Sequence, residues 1–182
     1  MWMLNYPFPY EKPEVAQAFG QLRDQLLQAL AEKDDAEFQK RLARYLVQRR
    51  RFFALVSNDD RKYFSFQLWQ EGIVRYTEVK SAEAAALLAA SDKFSALPDY
   101  ESFASYAARA REKTLRELKQ ADLATWKRTV VYSFGAAEGF LLDRISPNWR
   151  NDYFSQMLST DPYFKSRSVT AISRRFPPPP PS

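Results

Sequence analysis

Three charged side chains between residues 71 and 78 have the types and the spacing that could do chemistry. Glu71, Arg75 and Glu78 stand at i, i+4 and i+7, so an α-helix places them on one face. A carboxylate held in this way can bind a metal ion or accept a proton. The same spacing also fits an exposed ion pair in which Glu71 precedes Arg75, worth about 0.3–0.5 kcal/mol. On spacing alone, the ion pair is the favoured interpretation.

Histidine and cysteine are both absent from the 182 residues. Their absence excludes imidazole bases, Ser-His-Asp triads, cysteine nucleophiles and disulfide bonds within this sequence. It also excludes the usual protein zinc sites, because those draw most of their ligands from these two residue types. Any metal chemistry at Glu71 therefore needs ligands from another segment or another chain.

A second group of interest lies in the apolar segment of residues 129–142, where Glu138 is the only charged residue. Burial of this segment in a helix would force Glu138 to find a partner or to raise its pKa. Two interpretations stay open. Glu138 is either a functional carboxylate facing the same cleft as Glu71, or the partner of an arginine on a neighbouring helix, which is the commoner case. Gly135 and Gly139, at i and i+4, predict close packing against another helix.

The segment from residue 69 to residue 76, WQEGIVRY, resembles the W-x-E-G-(aliphatic)-x-x-Y segment of gluzincin-type zinc metallopeptidases. In that family an H-E-x-x-H helix supplies two histidine ligands, and a downstream helix supplies a glutamate as the third. The resemblance implies that Glu71 is the metal ligand and that Gly72 allows close approach of a neighbouring helix. It also implies that Arg75 and Glu78 line the cleft. No H-E-x-x-H segment occurs in this sequence.

A second segment, residues 132–149, resembles the Y-x-x-G-x-x-x-G-x-L-L-D-R-x-x-P-x-W helix that follows the ligand helix in bacterial proteins of this type. The resemblance gives Tyr132 and Glu138 catalytic roles, the tyrosine as a hydrogen-bond donor to a developing oxyanion, and gives Asp143 a structural role. For Tyr132 the alternative is a core tyrosine whose hydroxyl is satisfied locally. Together the two motifs fall within residues 63–154, about half of the chain.

The resemblance implies peptide-bond hydrolysis by a zinc-bound water in a complete enzyme acting on a peptide or protein substrate. Zinc is then expected only in a complete parent protein, in which an upstream segment or another chain supplies the H-E-x-x-H helix. This chain alone is expected to be inert, either as a fragment or as a degenerate relic. The alternative from another class is a non-enzymatic helical module for protein interaction. It predicts a large exposed apolar patch and a solvent-facing Glu71 paired with Arg75.

The elements that must position these residues are helices. Glycine occurs only four times, whereas Ala, Leu, Gln, Arg and Glu are abundant. The sequence therefore predicts an all-α fold, a single irregular domain of about six or seven helices. Its apolar and charged fractions, 46% and 27%, are those of a globular domain. Hydrophobic spacing and capping residues predict helices over residues 13–32, 34–57, 58–76, 82–90, 98–118, 125–145 and 149–158.

Three regions follow from the distribution of proline, aromatic and charged residues. Residues 1–12 are predicted to be an extended aromatic and proline-containing segment whose rings pack against the helical body. Residues 13–160 form the helical domain, and residues 161–182 are predicted to be a polar, basic, proline-rich tail in polyproline II or disordered form. No signal peptide or membrane-spanning stretch is found in the sequence, so a cytoplasmic protein is the default expectation.

A basic cluster in residues 40–51 raises the question of nucleic-acid binding on a chain of net charge +5. Lys40 and Arg44 fall on one helical side, whereas residues 49–51 wrap around the helix axis. No nucleic-acid motif or ladder of exposed aromatic residues accompanies them. Basic residues near the end of a helix also complement its dipole. The sequence therefore argues against a nucleic-acid partner.

Overall fold

The computed structural model describes residues 5–88 and 90–164 of the chain. This part of the chain contains no β-strand, and the predicted all-α fold is confirmed. Its helices are α1 (Pro13–Ala31), α2 (Asp35–Ala54), α3 (Asn58–Gln67), α4 (Ile73–Ala85), α5 (Asp92–Ser95), α6 (Phe103–Gln120), α7 (Leu123–Trp126) and α8 (Val130–Ile145). A π-helical turn, Leu68–Gly72, joins α3 to α4, and 3₁₀ turns cover Lys127–Thr129 and Trp149–Asp152.

The starts of the first three helices follow from local capping chemistry. Pro13 occupies the first turn of α1, where no intrahelical backbone donor is needed. The Asp34 side chain accepts a hydrogen bond from the backbone N–H of Glu37 at 2.8 Å at the start of α2. Ser57 and Asp60 form a reciprocal capping box at the start of α3. These starts agree with the predicted ones.

α8 is the central helix of the domain. Thirteen of its 16 residues are buried, which is typical of a helix surrounded by other helices. α1, α4 and α6 pack against it, and α2 packs on α1. The Phe19 ring lies 5.4 Å from the Phe134 ring, and Phe52 and Phe64 continue the same aromatic cluster. The core therefore fixes α8 relative to the helices that carry the first motif.

Two predicted helices are shorter than expected. The alanine-rich segment predicted as a separate helix over residues 82–90 belongs to the end of α4, which stops at Ala85. The helix predicted over residues 149–158 is a single 3₁₀ turn. Leu87 and Met157, which follow the two helix ends, are exposed, so no buried stripe supports further helical turns there.

Two later helices begin further along the chain than predicted. α6 starts at Phe103, because the segment opened by Pro98 is an exposed loop. α8 starts at Val130 and not near Thr125. The reason is Lys127, whose φ of 50° lies in the left-handed region and ends α7 after one turn.

The N-terminal segment packs its aromatic rings on α3, as predicted. Tyr6 stacks on Tyr63 with ring centroids 4.5 Å apart, and the Phe8 ring lies 5.1 Å from the Phe64 ring. The hydroxyls of Tyr10 and Tyr63 share a hydrogen bond of 3.1 Å. The segment thereby extends the core past the start of α1.

The C-terminal end of the packed domain lies beyond the predicted boundary at residue 160. Residues 161–164 are helical, and Asp161, Tyr163 and Phe164 are buried. The rest of the predicted proline-rich tail, residues 165–182, lies outside the described residues, as do residues 1–4. Within the described part of the chain, no helix combines the length and the apolarity that crossing a membrane requires.

Candidate functional site

The two sequence motifs meet where the π-helical turn crosses α8. A Cβ atom placed on Gly72 would lie 2.5 Å from the Cα of Gly135, and a Cβ on Gly135 would lie 2.6 Å from the Cα of Gly72. Real Cβ atoms do not approach backbone atoms so closely, so only glycine fits at either position. The two backbones are in direct contact, which is the close approach that both glycines predict.

One turn further along both helices, side chains from the two motifs share a hydrogen-bonded cluster. The Tyr76 hydroxyl donates to Asp143 Oδ1 at 2.7 Å, and Trp149 Nε1 donates to the same oxygen at 3.1 Å. A Cβ on Gly139 would lie 2.6 Å from the Tyr76 ring, so this glycine makes room for the ring. Burial, followed by the hydrogen bond to Asp143, raises the pKa of Tyr76. Asp143 therefore joins the two motifs, in line with its predicted structural role.

The π-helical turn has a tertiary explanation. The backbone N–H of Ile73 donates to the carbonyl of Leu68, five residues earlier, which frees the carbonyl of Trp69. The Tyr153 hydroxyl donates to that carbonyl at 2.5 Å, and its ring stacks on the Trp69 ring with centroids 5.0 Å apart. Burial raises the pKa of Tyr153 to about 12, so this phenol stays a donor at neutral pH. π-helical turns are rare and recur at functional sites.

Glu71 lies within this π-helical turn, and its side chain is half-buried. Among the described residues it makes no hydrogen bond or ion pair. The favoured pairing of Glu71 with Arg75 is wrong, because Arg75 pairs with Glu78, with Nε and Oε2 3.4 Å apart. Glu78 also accepts a hydrogen bond of 2.8 Å from the Tyr106 hydroxyl. Arg75 therefore neutralises Glu78, and Glu71 has no cation among the described residues.

Glu138 is fully buried and faces α2. Its Oε1 accepts a hydrogen bond from the Tyr45 hydroxyl and another from Arg49 Nε at 2.8 Å. Its Oε2 accepts a longer one, 3.4 Å, from the Thr160 hydroxyl. The interpretation of Glu138 as the partner of an arginine on a neighbouring helix is confirmed. The enclosed carboxylate gives no support to the predicted catalytic role.

The buried ion network continues from Arg49 to the C-terminal end of the domain. Arg49 Nη2 lies 2.7 Å from Asp161 Oδ1, and Arg61 Nη2 donates to Asp161 Oδ2 at 2.9 Å. Two carboxylates and two guanidinium groups therefore balance one another. The Arg49 guanidinium also lies between the rings of Phe53 and Phe164, 4.9 Å and 4.7 Å from their centroids.

The charge states of this network follow from burial and from its own charges. Burial would lower the pKa of Arg49, but the Glu138 and Asp161 carboxylates raise it above its ordinary value, so the guanidinium stays charged. Burial and the adjacent Glu138 carboxylate raise the pKa of Tyr45 well above its ordinary value. At neutral pH the ion pairs and hydrogen bonds of this network therefore connect α2, α8 and residues 160–164.

The network predicts an acid-sensitive term in stability. Burial would raise the pKa of Asp161, but Arg49 and Arg61 hold it below the ordinary value of 3.8. Because the pKa of Asp161 is lower in the folded chain than in the unfolded chain, its ionised carboxylate stabilises the fold. This stabilisation is fully present above pH 3.8 and is lost as the pH falls through the pKa of the folded state. Urea unfolding of the wild-type chain between about pH 6 and pH 2 should therefore show a falling free energy of unfolding. Asp161→Asn should flatten that fall, and Glu112→Gln, at an exposed carboxylate of α6, should not. An unchanged pH profile in Asp161→Asn would contradict this assignment.

Sequence reasoning missed Arg49 and Asp161, the two residues that complete the network. Arg49 is the first of three consecutive arginines, so by composition it belongs to the basic cluster of residues 40–51. One signal was present: Arg49 follows Tyr45 by four residues and Leu42 by seven, so it lies on the buried stripe of α2. Nothing in the local sequence distinguishes Asp161 from an ordinary turn residue.

Tyr132 is half-buried and packs against the core. Within the described part of the chain, its hydroxyl makes no hydrogen bond to another residue. The local partner that the alternative interpretation required is therefore not among the described residues. The oxyanion-donor role stays a prediction.

A zinc ion does not fit the described residues by themselves. They contain no group of three or more Asp, Glu, His or Cys side chains that could hold a metal ion. Glu71 would be a single carboxylate ligand, and structural or catalytic zinc sites need three or four protein ligands. A zinc site at Glu71 therefore needs further ligands from outside the described residues.

Comparison of the chain with protein-family models, with curated proteins and with solved structures finds no match. The gluzincin resemblance is thus carried by the residues of the two motifs. What the fold adds is their physical meeting at Gly72 and Gly135 and at Tyr76 and Asp143.

Proposed function

We propose that this chain is a helical scaffold of the gluzincin type that presents Glu71 to a zinc site completed by another polypeptide segment. The observation that carries the proposal is the state of Glu71. Its carboxylate lies in a π-helical turn, is half-buried, and has no cation or donor among the described residues. A half-buried carboxylate without a protein partner is open to an added ligand, and a metal ion is one group that would bind it.

The surroundings of Glu71 support a positioning role. The backbone contact between Gly72 and Gly135 and the Tyr153 hydrogen bond to Trp69 hold the turn on both sides. A metal ligand benefits from such support, because its own rotamer and backbone are then fixed before the metal binds. Peptide-bond hydrolysis would belong to the completed enzyme, and the chain alone would be inert.

The test is the zinc content of the protein isolated from its native cells together with whatever polypeptide accompanies it. We expect about one zinc per chain, lost in Glu71→Gln, because the amide removes the anionic ligand. Glu112→Gln is the matched control, since Glu112 is an exposed carboxylate of α6 that pairs with Arg116. Absence of zinc from the native protein, or zinc retained in Glu71→Gln, would sink the proposal.

A non-enzymatic module for protein interaction is the second candidate, and one observation favours it. The connection between α4 and α6 exposes large apolar side chains along most of its length. We call the segment formed by residues 87–88 and 90–103, which ends at the first residue of α6, the arm. An exposed apolar concentration of this kind is typical of a contact surface.

A further inference from the structure

The arm exposes an unusual concentration of apolar side chains. Every residue from 90 to 101 is exposed, and α5 provides only one helical turn. Six large apolar side chains are between 40% and 87% exposed, namely Leu87, Leu88, Phe94, Leu97, Tyr100 and Phe103. Single exposed apolar residues are ordinary, but six within so short a segment are not.

The charge of the arm is opposite to that of the chain. It carries Asp92, Asp99 and Glu101 against Lys93, a net charge of −2, on a chain of net charge +5. Glu101 is already paired with Arg109 at 2.5 Å. Asp92 and Asp99 make no ion pair with any described residue. The arm is therefore an apolar surface with two carboxylates available for a basic partner.

A basic groove lies along the contact between α1 and α2. Its volume is about 420 Å³, and its lining includes the arginines at 44 and 51, which make no ion pair within the described residues, and the half-exposed Val47. The adjoining groove, about 480 Å³, shares Arg51 and continues past the exposed Leu55. Gln25 Oε1 in the same lining is a buried acceptor with no hydrogen-bond partner among the described residues.

We propose that the arm of one chain docks into the α1–α2 groove of a second copy of this chain. Asp92 and Asp99 would pair with Arg44 and Arg51. The apolar side chains of the arm would cover Val47 and its neighbours. A hydrogen-bond donor of the arm would reach the Oε1 atom of Gln25 in the groove. A second copy of the chain is the partner proposed, because two exposed surfaces of this chain carry complementary charges. The proposal names the partner for the interaction-module candidate and rests on it, but it does not depend on zinc at Glu71.

The symmetry of the contact has a consequence. The arm and the groove are different surfaces, so one contact alone would extend into open chains of molecules. Two reciprocal contacts would close a dimer and double the buried area. A stable association needs a buried area of roughly 1,000 Å² or more. A closed dimer is therefore the expected species.

Sedimentation velocity of the full chain over a range of concentrations tests the proposal. The wild-type chain should associate, and higher salt should weaken the association because charge pairs contribute to it. The double variants Asp92→Lys with Asp99→Lys in the arm, and Arg44→Glu with Arg51→Glu in the groove, should each weaken association at least about tenfold. Glu112→Lys, at an exposed position on α6, should leave it unchanged. Circular dichroism checks that each variant is folded.

Mixing the two double variants sharpens the test. The arm variant keeps an intact groove and the groove variant keeps an intact arm, so an equal mixture should regain association through one wild-type contact and one contact with exchanged charges. A chain carrying all four substitutions should also associate, because the charges are exchanged. A wild-type chain that stays monomeric overturns the inference, as does association that neither double variant weakens. The zinc measurement is independent of both outcomes, so the two proposals fail separately.

Discussion

Arg49→Ala should lower the free energy of unfolding by about 3–5 kcal/mol, the range for breaking a buried ion pair from one side. Removal of the guanidinium leaves Glu138 fully buried with only hydroxyl donors and takes one of two cations from Asp161. It also removes the contacts with the rings of Phe53 and Phe164. Urea unfolding at neutral pH, followed by circular dichroism, measures the loss.

Lys40→Ala is the matched control for this prediction. Lys40 lies on the same helix but is exposed and makes only a surface ion pair with Glu37. Its replacement should change the free energy of unfolding by no more than about 0.5 kcal/mol. If the free energy of unfolding of Arg49→Ala lies within about 1 kcal/mol of the wild-type value, the network does not stabilise the packing of the C-terminal end of the domain as described.

Gly135→Ala should destabilise the chain by about 1–3 kcal/mol, because a single methyl group forces the two helices apart. The added Cβ would lie 2.6 Å from the Cα of Gly72 and 3.0 Å from the carbonyl oxygen of Leu68. Both neighbours are backbone atoms, so no side chain can rotate away. The substitution must overcome the roughly 1 kcal/mol that alanine gains over glycine within a helix.

Gly20→Ala provides a control of opposite sign. Gly20 lies inside α1, and a Cβ there would meet nothing within 4 Å. This substitution should raise the free energy of unfolding by about 0.5–1 kcal/mol through helix propensity alone. Equal effects of the two substitutions would mean that Gly72 and Gly135 are not the contact point between the helices.

Local chemistry predicted most of the helical framework. Pro13, Asp34 and Ser57 act on their own first turns, so their effect is readable from a few neighbouring residues. The glycines at 72 and 135 were also readable, because a residue without Cβ in a helix has few purposes other than close approach. Helix ends were less predictable where exposed apolar residues continued the helical spacing, as after Ala85.

The candidate site depended on contacts that no local pattern contains. The sequence required a partner for Glu138 but did not identify Arg49, which is 89 residues away along the chain. The Tyr153 hydroxyl donates to the carbonyl of Trp69 from 84 residues away, and Arg75 pairs with Glu78, so the missing pair between Glu71 and Arg75 was not visible in their spacing. Long-range hydrogen bonds decided each of these outcomes.

The two glutamates of the motifs, Glu71 and Glu138, lie in different surroundings. Glu138 accepts hydrogen bonds from Tyr45 and Arg49 inside the core, whereas Glu71 is half-buried and has no partner among the described residues. The helices that carry them touch through glycine backbones, so no hollow separates them at that point. A shared metal cleft between these two carboxylates is therefore not what the fold builds, and Glu71 is the residue on which the metal proposal rests.

X-ray absorption at the zinc edge of the protein isolated from native cells is the most direct test of that proposal. We expect a mixed shell in which imidazole nitrogens from the accompanying segment join a carboxylate oxygen at about 2.0–2.2 Å from the metal. In Glu71→Gln the zinc should be lost, and with it the absorption signal. A zinc shell that is identical in wild-type and Glu71→Gln protein would contradict the assignment of Glu71 as a ligand.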